Sequence, residues 1–119
     1  KNVCITHFFN PVKIMKLCEV IPGEKTSEDM LNSLKVFISE TLLKGVVNAK
    51  DTVNFIGNRI GCYWMLKGLH EGETARQFGI TQEEVDALMS KPMGLPPTGL
   101  YGLIDLIGLD VMRSMQRQY

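Results

Sequence analysis

The chain has 119 residues, with 13 basic and 13 acidic side chains, so its formal net charge is zero. Hydrophobic content of 45% and charged content of 22% are those of a folded chain and exclude disorder. No basic excess exists to neutralise phosphates, no basic amphipathic stretch suits a membrane surface, and Asn58, Arg59 and Lys67 interrupt the longest apolar run, so neither nucleic acid nor membrane is an expected partner.

Val3 to Phe9 alternates as a strand does, with Ile5, His7 and Phe9 on one face and Cys4, Thr6 and Phe8 on the other. Asn10-Pro11 ends it, because proline lacks a donor and pushes the preceding residue away from helix. Leu17 to Ile21 is a second short apolar run, closed by Pro22-Gly23. Thr26 to Leu43 has helical periodicity, with Thr26 or Ser27 as cap and Met30, Leu34, Phe37, Ile38, Thr41 and Leu42 as its buried stripe. Lys44-Gly45 stops that helix, and Val46-Val47 begins a further strand. From Asp51 the texture changes to all-helical. Asp51-Thr52 is a cap, and Asn54 to His70 reads as a long helix ended by Glu71-Gly72, with Phe55, Ile56, Ile60, Tyr63, Leu66 and Leu69 apolar. Gly57 and Gly61 cost about 1 kcal/mol each in a helix, so their spacing suggests close approach of another backbone. Thr81 and Glu84 form a capping box for a short helix to Met89. Lys91 to Thr98 is a proline-rich connector, Thr98 caps Gly99 to Ile107, and Leu109 to Gln118 is the last helix.

Few residues invite chemistry. Glu19 sits inside LCEVI, an otherwise apolar strand, and a buried carboxylate needs a partner. His7, on the neighbouring run, is the nearest candidate. The two form either a buried structural pair or a general base whose tautomer the carboxylate fixes. Asn58, in FIGNRIG, is either a surface residue or an amide that binds a substrate carbonyl. Asn10 is a turn residue by default. His70 fits the C-terminal end of its helix, Asp105 is expected to cap or brace helices, and Tyr63, Trp64 and the methionines are expected in the core. Cys4, Cys18 and Cys62 are odd in number and lack a CxxC pair. No disulfide framework or metal site is therefore expected, and a reducing, cytoplasmic compartment fits. Lys1 followed at once by a strand suggests that the chain begins inside a larger protein.

The run His7-Phe8-Phe9-Asn10-Pro11-Val12, Met15-Lys16-Leu17 and Glu19-Val20-Ile21 resembles the signature of the L-3-hydroxyacyl-CoA dehydrogenase family. Asp51-Thr52, Phe55-Ile56 and Asn58-Arg59-Ile60 resemble the start of that family's helical domain. Glu83 to Asp86, Lys91 to Gly94 and Leu103 to Asp110 follow in the same order, and Gly94 to Gly99 is most similar to the long multi-domain bacterial members. The resemblance implies an α/β tail of a Rossmann-type domain over residues 1–50. It implies an incomplete all-α domain, like the C-terminal domain of 6-phosphogluconate dehydrogenase, over residues 51–119. It also implies NAD as cofactor and oxidation of a 3-hydroxyacyl-CoA substrate in fatty-acid β-oxidation. His7 would be the general base, Glu19 its partner, Asn58 a substrate-binding residue and Asn10 a cofactor-binding residue, with no metal. The implied partners are a missing N-terminal NAD-binding segment and a second copy, as a homodimer through the helical domain. The sequence departs from the family where Val53 replaces the usual proline, and the glycine fingerprint and a substrate-binding serine are absent. The alternative is a non-catalytic helical module for dimerisation or acyl-CoA binding.

Overall fold

The computed structural model describes residues 3–117 and divides the chain into two compact units, Lys1–Arg59 and Ile60–Tyr119. In the first, β1 (Cys4–Phe8), β2 (Leu17–Pro22) and β3 (Gly45–Asn48) form a sheet in that order. β1 runs antiparallel to β2, and β3 runs parallel to it. Parallel strands need a crossover, which α1 (Glu28–Val36) supplies. Ser27 caps α1 by accepting from the Met30 amide. Thr26 instead accepts from the Gly23 amide and donates to the Val3 carbonyl, closing the turn before the helix.

The expected helix to Leu43 changes character at Phe37–Thr41, which is a π-turn. Its wider winding carries the Leu42 amide to the Phe37 carbonyl, five residues back. The extra residue shifts the phase of the apolar stripe. Ile38 stays buried, whereas Phe37 and Leu42 are exposed. Cys18, Val20 and Ile38 form the core of this unit, with Cys4, Phe8, Leu31, Leu34 and Val46 packed on them. That core takes one face of the sheet and leaves His7 and Glu19 on the other. Lys44 donates to the Val12 and Met15 carbonyls at 2.6 and 2.7 Å, which ties down the β1–β2 loop.

The second unit is helical. α2 runs from Gly57 to Gln77, its first three residues belonging to the first unit, so it starts three residues later than the sequence suggests and passes through Glu71-Gly72. Its start is delayed because Asn54 and Phe55 adopt left-handed backbone conformations, φ 60° and 48°. It survives Gly72 because the Tyr101 hydroxyl occupies the place of a side chain there, so packing offsets the weak propensity. His70 is therefore inside the helix, not at its end. α3 (Gln82–Leu88) carries the expected capping box of Thr81 and Glu84. A 3₁₀ turn at Lys91–Met93 leads to α4 (Gly99–Ile107) and α5 (Leu109–Gln116). The expected last residue of α5, Gln118, lies outside the described residues.

Cys62, Met65, Val85, Leu100, Ile104 and Met112 form the second core, with Trp64, Leu66 and Leu69 packed against it. Ile60 and Tyr63 point to solvent, since the buried stripe of α2 follows Cys62, Met65, Gly68 and Gly72. Thr98 makes no side-chain cap to α4. Asp86 does that work from α3, accepting from the Tyr101 amide at 2.6 Å and the Gly102 amide at 3.0 Å. Asp105, the residue expected to brace helices, is exposed. Among the described residues, no helix is long and apolar enough to cross a membrane.

Candidate active site

Antiparallel pairing sets His7 directly opposite Glu19. Side chains of directly opposed residues lie on the same face, so the two meet. His7 Nδ1 and Glu19 Oε2 are 2.7 Å apart. The other carboxylate oxygen, Oε1, accepts from the backbone amides of Ile56 at 3.0 Å and Gly57 at 2.7 Å. Those amides open α2, where unpaired N–H groups and the helix dipole favour an anion. Glu19 therefore has both oxygens engaged inside the protein. Its side chain is 1% exposed, and that of His7 is 24% exposed. The imidazole can meet a solute, and the carboxylate cannot.

Burial pushes the Glu19 carboxyl pKa up, but the hydrogen bonds from His7, Gly57 and Ile56 together outweigh it. The net pKa is below the ordinary 4.5, and the group stays ionised. An ionised carboxylate only accepts, so the neutral imidazole must carry its hydrogen on Nδ1. Nε2 then holds a lone pair. This arrangement can take a proton at Nε2 while the carboxylate faces the charge that develops. Two rings steady the imidazole. Phe9 lies 4.6 Å and Phe55 5.5 Å from it between centroids, both tilted by 56°.

The remaining sequence candidates are placed less tightly. Asn10 is exposed just past the end of β1, and Asn58 is exposed in the first turn of α2, one residue after Gly57. Gly57 and the two phenylalanines belong to the site; alternation places Phe9 on the His7 face, but no local pattern assigns Phe55 or Gly57 to it. A clue to Gly57 lay in its spacing from Gly61, which points to a close approach. The expectation that another backbone approaches Gly57 and Gly61 does not hold. A Cβ at Gly57 would meet the Phe9 ring, and one at Gly61 would meet nothing within 4 Å among the described residues.

Within the helical unit, a cavity of about 690 Å³ lies among Leu66, Tyr101, Ile104, Met112 and Arg113. No histidine or cysteine lines it, so it offers no proton-transfer pair of the kind found at His7.

Residues 1–52 match the family model described as 3-hydroxyacyl-CoA dehydrogenase, NAD binding domain, and residues 55–119 match 3-hydroxyacyl-CoA dehydrogenase, C-terminal domain. A Bacillus subtilis protein named "Probable 3-hydroxyacyl-CoA dehydrogenase" is 40% identical over 112 residues, covering 94% of this chain and 14% of that protein. The mitochondrial hydroxyacyl-coenzyme A dehydrogenase of Sus scrofa is 38% identical over 107 residues, covering 90% of this chain and 32% of that protein. The crystal structure of (S)-3-hydroxybutyryl-CoA dehydrogenase from Ralstonia eutropha is similar with a TM-score of 0.73 and 32% identity, over 93% of this chain and 38% of that one. The chain thus spans well under half the length of each of these relatives.

Proposed function

The chain belongs to the 3-hydroxyacyl-CoA dehydrogenase family, and from that premise we propose that the whole protein oxidises an (S)-3-hydroxyacyl-CoA to the 3-ketoacyl-CoA, a step of fatty-acid β-oxidation. The observation that carries this reading is the His7–Glu19 pair, with its carboxylate buried and held by three hydrogen bonds. In this reading residues 1–50 are the end of the NAD-binding domain and residues 51–119 are part of the helical domain.

His7 Nε2 takes the proton of the C3 hydroxyl. The O–H electron pair becomes the second bond of the new carbonyl as the C3–H bond breaks. NAD, when bound, supplies the acceptor for the hydride that leaves C3. Glu19 fixes the Nδ1–H tautomer of the neutral imidazole, which leaves the lone pair on Nε2, and balances the imidazolium afterwards. Asn10 fits a cofactor edge, because its exposed amide offers a donor and an acceptor beside the strand that carries His7. Asn58 offers its side-chain N–H donors to the substrate carbonyl from the first turn of α2.

Self-association through the helical unit belongs to the same proposal, and exposed Leu106 and Leu109 support it. So does a cytoplasmic location, supported by three free thiols. The test is NADH oxidation with acetoacetyl-CoA by the whole protein and its His7→Gln variant. Loss of the base lowers the rate by about 10²–10⁴-fold. Unchanged turnover removes His7 from the chemistry.

A further inference from the structure

Gly57 has an ordinary helical backbone, so its conformation does not require glycine. Space does. A Cβ built there would lie 2.5 and 2.9 Å from two atoms of the Phe9 ring and 3.6 Å from Glu19 Oε1. Carbon atoms pack comfortably at about 3.5–4.0 Å, so a methyl group would force the two apart by about 1 Å. Gly61, one turn later in the same helix, has no described residue within 4 Å of where its Cβ would be. Gly57 opens α2, where glycine costs the helix less than it does at Gly61, so what sets Gly57 apart is its crowded surroundings.

We propose that Gly57 is a positioning residue for the His7–Glu19 pair. Its amide holds Glu19 Oε1, and its missing side chain leaves room for the Phe9 ring that packs against His7. The clash from a side chain has two ways to relax. Either Phe9 leaves the His7 ring, or the start of α2 retreats and takes the Gly57 amide from Glu19. The first frees the imidazole and the second weakens the carboxylate that orients it, so neither leaves the pair intact.

The kinetic arm of the test rests on the dehydrogenase reading, and the spectroscopic arm does not. In the whole protein, Gly57→Ala lowers kcat by about 10²-fold with little change in KM, the cost of about 1 Å of misplacement. The acid limb of its pH–rate profile moves to higher pH, because a Glu19 carboxyl short of an amide partner takes up a proton sooner. The imidazole ¹⁵N signals of His7 change from a single Nδ1–H tautomer to a mixture. A change that only softened the fold would lower the melting temperature and leave the pH limb and the tautomer in place.

Phe9→Ala removes the obstacle. In that background Gly57→Ala costs less than about 2-fold, the limit expected when no clash remains. This comparison also serves if Gly57→Ala alone does not fold. A wild-type pH profile and tautomer in Gly57→Ala would overturn the proposal, as would losses that simply add in the double variant. If the wild type lacks turnover yet shows the Nδ1–H tautomer, and Gly57→Ala disturbs it, the positioning role stands and the dehydrogenase reading falls.

Discussion

Each unit of this molecule starts a helix on a carboxylate that is distant in sequence, and the two carboxylates divide their oxygens differently. Asp86 gives both of its oxygens to α4, one to the Tyr101 amide and one to the Gly102 amide. Glu19 gives one oxygen to two amides at the start of α2 and keeps the other for His7. A helix N-terminus needs only an acceptor, and a single oxygen can satisfy two of its donors. The oxygen left over decides what the group can do. At Asp86 none is left, and the residue is a brace. At Glu19 one is left, and the same amides that lower its pKa hold the charge that orients an imidazole.

The sharpest way to break this comparison is Glu19→Gln. The amide oxygen still satisfies α2, but an NH₂ group then faces Nδ1 and can only donate. The imidazole turns to the other tautomer and loses its base. Turnover by the whole protein falls by about 10²–10⁴-fold while the fold persists, as circular dichroism and steady-state kinetics would show. Near-normal kcat would reduce the pair to a structural contact.

Asp86→Ala tests the other side. It leaves two helix amides without their acceptor and costs about 1–2 kcal/mol of stability, read from denaturant midpoints. Its pH–rate profile stays that of the wild type. A shifted profile would mean that the two caps are not independent.

The pH dependence of stability tests the Glu19 contacts further. Burial raises the Glu19 pKa, the hydrogen bonds lower it more, and the folded value lies below the ordinary 4.5. Proton uptake therefore opposes the folded state. The contribution of Glu19 is whole above about pH 4.5 and disappears as the pH falls through the folded value. Wild type should lose stability relative to Glu19→Gln over that acid range. A gap that stays constant down to about pH 3 would show that folding does not favour the ionised form.

The smallest effect is expected at Gly61. With no described residue near its missing side chain, Gly61→Ala should stabilise the protein by about 0.5–1 kcal/mol, a rise of a few degrees in Tm. Destabilisation there would undo the contrast with Gly57.

Much of this was legible in the residues. Alternation in Val3 to Phe9 put His7 and Cys4 on opposite faces, and the structure has Cys4 against the core and His7 facing Glu19. The box at Thr81 and Glu84 and the cap before α1 were readable because their donors and acceptors lie within three residues of each other. The same local rules failed at Thr98, at Gly72 and at Asn54. There the decisive partners are Asp86, Tyr101 and a left-handed turn, which no window of a few residues contains.

The sequence by itself determined the order of strands and helices, the two faces of the first strand and the identity of the two residues that could share a proton. Periodicity and capping are short-range, so they survive in a linear reading. Only the tertiary structure decided that Glu19 also receives two amides from 37 and 38 residues away, that Phe9 fills the space over Gly57, and that the winding of Phe37–Thr41 turns the apolar stripe. Those outcomes depend on which surfaces exclude water together. Packing competes there with local propensity, and in this molecule packing prevails.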